Sequence, residues 1–567
     1  MKRIVHIDLK GAAPKFDYFK QIFPVLKELG ATGLLVEYED MFPYEGKLSS
    51  VPAGNALTKT NLLEIIKLAN GLELEIIPLI QTFGHMEFIL KLNEFSNLRE
   101  SADTPQVIAP GLEDTYGLIQ TLIDQIITNH PTSRYIHLGC DEVYELGRGR
   151  SGEYMKKNNL SRSDMFFEHV SKNVRYLKQK YPQITPIIWD DEFRHESLEM
   201  IKKFGLGNVL EPMIWSYQPN PRKKFSDDIW EKYGKAFKNV WAASSFKGST
   251  GSSQYYTNIT HHMSNHLAWI DVILEAKKIA PKMTFRGVTL TGWQRYDHFA
   301  TLCELLPSAF PSLSLCLTTI KRGGFTQTDH EHVQNTLKCS DKELTKCTFP
   351  GNDLYALILD FTERENFYKN NIGLQSRLNG WLTDYNIKHG FGSPGQLKVL
   401  EKKINQTIAN YTSIRPKLEE VILRYYDRYT ADEWISVHVD QPLKFLSEKY
   451  SEAVKLIKVK IFSKRPLVSK YSQINNQPKL DNTFPNLGIK KNPNSIMPSN
   501  FETNRNPKSK QSFEFNPGSL KTGLKEKPIY GRQNELTGNK FNSQNIPKQL
   551  NYNIPDSNYR RNRNRIV

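Results

Sequence analysis

At 567 residues the chain exceeds one ordinary domain and can bury a large core. Its 39% apolar content falls short of the roughly 45–50% typical of globular proteins, so part of it is expected not to fold. The net charge of +16 would argue for nucleic acid or an anionic membrane if it were even, but from Ser463 onward there are 19 Lys and Arg against 6 Asp and Glu, which assigns +13 to that stretch and +3 to the first 462 residues. No apolar run reaches the length of a membrane span, and His6 and Asp8 break the opening apolar stretch at once, so the expectation is no membrane partner and a cytoplasmic or nuclear location.

In chain order, an apolar run predicts a strand over Ile4–Leu9. Phe19, Ile22, Phe23, Leu26 and Leu29 at helical spacing predict a helix over Asp17–Leu29 that Gly30 stops. The alternation repeats as strand Gly33–Tyr38, helix Lys59–Asn70, strand Leu74–Ile80, helix Thr115–Thr128, strand Tyr135–Gly139 and helix Asp164–Lys180. Further strands fall near Pro186–Trp189, Met213–Trp215, Val240–Ala243 and Gly287–Leu290, with a helix over Leu267–Ile279.

Eight strands with helices between them predict an α/β fold, a (β/α)8 TIM barrel. A doubly wound open sheet is the alternative, and the lack of a Gly-x-Gly-x-x-Gly loop after the first strand counts against it. The expected regions are a catalytic barrel over 1–320, a mostly α-helical region over 321–462 packed on it, and a disordered basic tail over 463–567, whose Asn, Pro, Ser and Lys cannot bury enough apolar surface to order. The five cysteines, Cys140, Cys303, Cys316, Cys339 and Cys347, have no Cys-x-x-Cys spacing and read as reduced thiols.

The chemistry concentrates at strand ends. The fourth strand runs into Asp141-Glu142, and a charged pair directly after an apolar run needs partners if it is buried, because an isolated buried carboxylate costs several kcal/mol. In a barrel that end of the strands opens into the active-site cleft. His85 and Glu87 follow the third strand, Trp189, Asp190 and Asp191 the fifth, Trp215 the sixth and Trp293 the eighth, with Trp241 inside the seventh. Indole walls with interspersed acids suit a sugar, whose ring face stacks while its hydroxyls need fixed partners. Trp241 is the member expected to be packing. One His with distant acids is poor zinc spacing, so the site reads as free of metal and cofactor.

Gly84-His85 with Glu87, Asp141-Glu142, Trp189-Asp190-Asp191 and Trp293 together resemble glycoside hydrolase family 20, the β-N-acetylhexosaminidases, over about residues 1–310. The opening His6-Ile7-Asp8-Leu9-Lys10-Gly11 is most similar to the family's intracellular hexosaminidase D branch. The resemblance implies that Glu142 is the general acid and base and that Asp141 orients a 2-acetamido group.

Adjacent residues leaving one strand cannot easily straddle a sugar ring, so Asp141 is a poor nucleophile for a bond that Glu142 protonates, and the substrate's own acetamido oxygen is expected to attack. Asp141 is expected to raise the Glu142 pKa. Around the sugar the resemblance places Asp8, Lys10, His85, Glu87, Trp189, Asp190, Trp215, Trp293, Arg295 and Asp297, with Tyr217 or Tyr255 on the acetamido carbonyl. Lys10 stands where relatives often have Arg, and Arg295 where they often have an acid. The branch implies a preference for GalNAc over GlcNAc. The competing readings are a glycosidase with Asp190 or Asp191 as nucleophile, or a non-catalytic carbohydrate or nucleic-acid binder. The tail reads as a weak, salt-dependent binder of an anionic partner, and homodimerisation is left open.

Overall fold

The structure is a computed structural model that describes residues 1–467. The expected disordered tail therefore lies outside the described residues except for Ser463–Leu467, which hold no helix or strand. Met1–Phe462 form one compact unit.

Eight parallel strands close into a barrel: β1 (Lys2–Asp8), β2 (Gly33–Glu37), β3 (Glu75–Leu79), β4 (Tyr135–His137), β5 (Thr185–Trp189), β6 (Glu211–Trp215), β7 (Asn239–Lys247) and β8 (Thr284–Gly292). β1 closes the ring by pairing with β8 through Val5 and Leu290. Its register with β2 sets Asp8 opposite Glu37, so two carboxylates meet at the carboxyl mouth. Ile4, Leu35, Ile77, Ile187, Met213 and Trp241 fill the barrel interior. Trp241 is packing as expected, its indole N–H donating to Glu211 (2.8 Å).

The helices between the strands fall where their spacing predicted. Gly30 at φ 105° ends Phe16–Leu29, and a Ser161/Asp164 capping box starts Arg162–Lys180. Strand lengths differ from expectation. β4 stops at His137 rather than Gly139, because Gly139, Cys140 and Glu142 turn to positive φ (65°, 71° and 51°) and leave the extended region. An antiparallel hairpin, Arg99–Ser101 with Thr104–Ile108, is inserted after β3 and has no counterpart in the sequence reading.

The reduced-thiol expectation is corrected at one pair. Cys339 and Cys347 are disulfide-bonded, whereas Cys140, Cys303 and Cys316 are free and buried. The loop between the pair folds back on itself, Ser340 N–H donating to Lys346 O and Thr348 N–H to Leu337 O, and this proximity cannot be read from spacing. The pairing also removes one ground for expecting a reducing compartment.

Past the last strand, Leu306–Arg322 is a barrel helix buried from Leu306 through Ile320. The helical region that follows is built on Pro394–Tyr425, with Asn352–Lys369 and Gln441–Ile457 packed on it. Its Phe361, Tyr411, Trp434 and Ile435 form one cluster with Ala12, Leu302 and Leu305 of the barrel. Among the described residues no helix is long and apolar enough to cross a membrane.

Candidate active site

β4 ends in the strained turn that carries Asp141 and Glu142. Positive φ at a non-glycine residue costs of order 1 kcal/mol or more and persists only where the surroundings hold it. Here the loop after β3 supplies the support. A Cβ on Gly84 would lie 2.1 Å from Asp141 O, so only glycine lets the two backbones approach this closely. Gln106, from the inserted hairpin, donates to Glu142 O (3.2 Å), and Asp191 Oδ2 accepts from Glu142 N–H (2.9 Å).

His85 joins the two acids. Its Nε2 lies 3.5 Å from Asp141 Oδ2 and 3.2 Å from Glu142 Oε2, while Nδ1 is 4.0 Å from Glu87. Burial opposes a charged imidazole, but Asp141, Glu142 and Glu87 outweigh it and raise the His85 pKa to about 10. Burial, reinforced by Asp191 and Glu142, pushes Asp141 up to about 8 against the pull of His85. Asp141 is 8% exposed, and its Oδ1 is buried with no hydrogen-bond partner among the described residues.

The expected rise of the Glu142 pKa is corrected. Hydrogen bonding to His85 outweighs burial and lowers it, with Tyr144 and Lys224 adding to the fall. Glu142 stays the more open of the pair, its side chain 35% exposed.

The aromatic residues divide. Trp293 stands at the mouth, 5.9 Å from Trp189, 6.2 Å from Tyr217 and edge-on to His6 at 4.8 Å. Tyr217 has its hydroxyl between Thr291 and Trp293, within the field of Asp141. Tyr255 is elsewhere, bonded to Glu365 and packed on Phe361 and Trp434, so of the two candidates only Tyr217 reaches the pair. Trp189 is buried against His137 as a floor rather than a wall. Trp215 offers no bare face, since Tyr217 stacks on it, Lys224 and Arg194 stand over its ring, and its N–H donates to Asp191.

Three expected sugar contacts do other work. Asp190 is fully buried, with both oxygens taken by Arg194, Tyr233 and Trp215 N–H. It faces into the protein because the short helix at Asp191–His195 starts there and brings Arg194 one turn on. Arg295 is 6% exposed, grips Glu433 in two hydrogen bonds (2.7 and 3.0 Å) and donates to Lys10 O and Ala300 O, tying the helical region to the barrel. Asp297 caps its own turn by accepting from Phe299 and Ala300 N–H.

On the β1–β2 side lies a second group of acids that sequence reasoning largely missed. Lys10 Nζ sits 3.3 Å from Asp8, 3.7 Å from Glu37 and 3.5 Å from Glu39, and 5.5 Å from the Trp293 ring centre. His6 pairs with Glu37 (3.0 Å), and His298 contacts Glu39 and Asp40. Burial opposes ionisation of Glu37, yet Lys10 and His6 win and lower its pKa, whereas burial and Glu37 itself raise that of Glu39. Glu37 ends its strand as Asp141 follows its own, so the signal of an apolar run closing on an acid was present in Gly33-Leu34-Leu35-Val36-Glu37. Glu87 links the two groups, sensing His85 on one side and Lys10 on the other.

Residues 19–224 match the family described as glycosyl hydrolase family 20, catalytic domain. A human (Homo sapiens) protein named Hexosaminidase D is 36% identical over 453 residues, covering 78% of this chain and 92% of that protein. The Bos taurus Hexosaminidase D is 43% identical over 343 residues, covering 60% of this chain and 98% of that one. Among solved structures, the β-N-acetylhexosaminidase from Bacteroides fragilis NCTC 9343 is 15% identical with a TM-score of 0.46, covering 61% of this chain and 74% of that one. The protein is accordingly a glycoside hydrolase of the β-hexosaminidase class. The chain belongs to glycosyl hydrolase family 20.

Proposed function

We propose that the protein is an exo-acting, retaining β-N-acetylhexosaminidase in which the substrate's acetamido oxygen is the nucleophile, Glu142 the acid and base, and Asp141 the partner of the acetamido N–H. The supporting observation is that one imidazole nitrogen touches both carboxylates. A sugar ring placed between them would have to displace His85, so the two act from one side of the ring, and a nucleophile facing Glu142 across the scissile bond must come from elsewhere. Asp190 and Asp191 are poor alternatives, because both oxygens of each already accept protein hydrogen bonds.

Asp141 Oδ1, buried and unpartnered, suits an amide donor, and as charge develops on that nitrogen an ionised Asp141 stabilises it. Tyr217 is the candidate for the acetamido carbonyl. Substrate over Glu142 removes water from both Glu142 and His85, which disfavours both charges and moves the proton from imidazole to carboxyl, ready for the glycosidic oxygen. Trp293 provides the ring face, with Lys10 against its indole (5.5 Å from the ring centre). GalNAc is the preferred sugar over GlcNAc in this reading, as the likeness to hexosaminidase D implies.

Nitrophenyl glycosides with and without the 2-acetamido group, assayed with a thiazoline mimic of the intermediate, test the proposal. Hydrolysis only of the acetamido glycosides, blocked by the thiazoline and faster for galacto- than gluco-configured sugar, is expected. Equal turnover of both kinds without thiazoline inhibition would discard the substrate as nucleophile. Asp141→Asn should cost about 10²–10³ in kcat on acetamido substrates, comparable with losing one oxyanion-hole donor.

A further inference from the structure

The chain leaves the sheet after Trp215. Ser216 N–H still reaches Ala243 O on β7 (3.2 Å), but the carbonyls of Ser216, Tyr217 and Gln218 turn to side chains. Those side chains all come from one helix, Ile259–Ile279, which follows β7. His261 Nε2 donates to Tyr217 O (2.8 Å), Asn265 Nδ2 to Ser216 O (3.0 Å) and Gln218 O (2.5 Å), and Trp269 Nε1 to Ser216 O (2.9 Å). A carbonyl can only accept, so these contacts put a proton on His261 Nε2 and turn the Asn265 amide nitrogen toward the loop. Spacings of four residues set the three on one helix face.

The arrangement exceeds what burial demands. Ser216 is 1% exposed and its carbonyl needs one partner, yet it has two. Tyr217 is half-buried and Gln218 exposed, where water would serve. What the clamp holds is part of the site. The Tyr217 ring stacks on Trp215 (5.2 Å between centres) and stands edge-on to Trp293 (6.2 Å). Trp215 in turn donates to Asp191 (3.1 Å), whose other oxygen accepts from Glu142 N–H (2.9 Å).

We propose that His261, Asn265 and Trp269 are positioning residues for the reaction: by clamping the backbone of residues 216–218 they fix Tyr217 where the acetamido carbonyl must arrive. The inference rests on the reading of Tyr217 as the partner of that carbonyl. Asn265 and Trp269 are fully buried, so they act through Tyr217 rather than on substrate. A segment past a barrel strand is ordinarily mobile. A substrate that supplies its own nucleophile needs its acetamido group held in one attack geometry, and a displacement of about 1 Å costs up to about 10²-fold.

Kinetics of the full chain on a nitrophenyl N-acetylhexosaminide test this with three variants, each alone and combined with Tyr217→Phe. His261→Phe and Trp269→Phe keep a ring in place and remove the donor, whereas Asn265→Leu removes three hydrogen bonds. The first two should lower kcat by about 3–10-fold and Asn265→Leu by about 10–10²-fold, with KM moving less than kcat. In the Tyr217→Phe background the same changes should cost less than about 2-fold, because the hydroxyl they position is gone. Losses that multiply in the double variants, or a lowered melting temperature with kcat unchanged, overturn the clamp and leave only structural hydrogen bonds. If Asn265→Leu does not fold, the two ring-preserving variants decide the same comparison. Tyr217→Phe alone separates the two readings, with an expected loss of about 10²–10³ in kcat. A parent-like rate would remove Tyr217 as the acetamido partner and the clamp with it, whereas a crippled Tyr217→Phe beside parent-like clamp variants removes only the present inference.

Discussion

Two groups of acids lie at the carboxyl mouth of the barrel, one at the ends of β1 and β2 and the other past β4 and β5, and they are built to opposite ends. Asp8, Glu37 and Glu39 surround Lys10, with side chains at most 4% exposed. Asp141, Glu142 and Asp191 have one imidazole among them, one oxygen left without a partner and one side chain open to solvent. Similar residues at similar strand ends thus give a dry network closed around a cation on one side and a group open to solvent at Glu142 on the other. Glu39 Oε1 also has no hydrogen-bond partner among the described residues, but it is sealed from solvent beside Lys10 (3.5 Å), whereas Glu142 is open, and chemistry is available where a substrate can reach the group.

The sharpest test of that contrast is a pair of variants. Glu142→Gln should cut kcat on glycosides with poor leaving groups by about 10²–10⁴, the usual worth of a general acid, with little change in melting temperature because the side chain is partly exposed. Lys10→Met should do the reverse in kind, costing about 3–5 kcal/mol of stability by leaving buried acids without their cation. Urea unfolding and steady-state kinetics on both would measure it. If Lys10→Met unfolded at the parent's urea midpoint, the two groups would not differ in the way their geometry indicates.

A smaller effect is expected from Glu433→Gln. It removes the charge from the bidentate grip on Arg295, whose guanidinium also holds Lys10 O, and should cost about 1.5–3 kcal/mol, the range for hydrogen bonds to a charged group. Because Arg295 touches Lys10 through the backbone, the loss should appear in stability with only a modest rise in KM. A fall in kcat comparable with that of Glu142→Gln would move the helical region from a brace to a part of the site.

Much of this contrast could not be read before the fold was known, and the reasons are local. The eight strands and the Asp141-Glu142 pair were legible, because buried parallel strands are continuous apolar runs and an acid at their end breaks the pattern. Asp190 and Asp191 were indistinguishable, since which of two neighbours faces the cleft depends on where the next helix starts. Arg295 and His298 sit in an irregular loop with no period, so that one grips Glu433 and the other reaches Glu39 is tertiary information only. The direction of the Glu142 shift was misjudged for a related reason. Asp141 was weighed as the neighbour in sequence, but His85, brought in by the Gly84 approach, is the stronger neighbour in space.

That imidazole yields the mildest prediction, a slope of stability with pH. His85 has a folded pKa near 10 against the usual 6.5, and Asp141 about 8 against 3.8, so the folded state holds more protons than the unfolded chain between these limits. A raised folded pKa gives stability that is complete below the unfolded value and lost as pH climbs through the folded one. The Asp141 share should therefore decline from about pH 4 to 8 and the His85 share from about 6.5 to 10. Glu39 in the dry network, also raised, adds the same sign. The two members of the open group titrate as a unit, because the positive imidazole is what holds Asp141 down. In urea unfolding at pH 6.5, 7.25 and 8, His85→Gln should roughly halve the fall, because the His85 share is gone while Asp141, no longer held down, keeps its proton across that window. Parallel curves for parent and variant would mean that the imidazole is neutral in the folded protein, and the proton for Glu142 would then have to arrive from solvent.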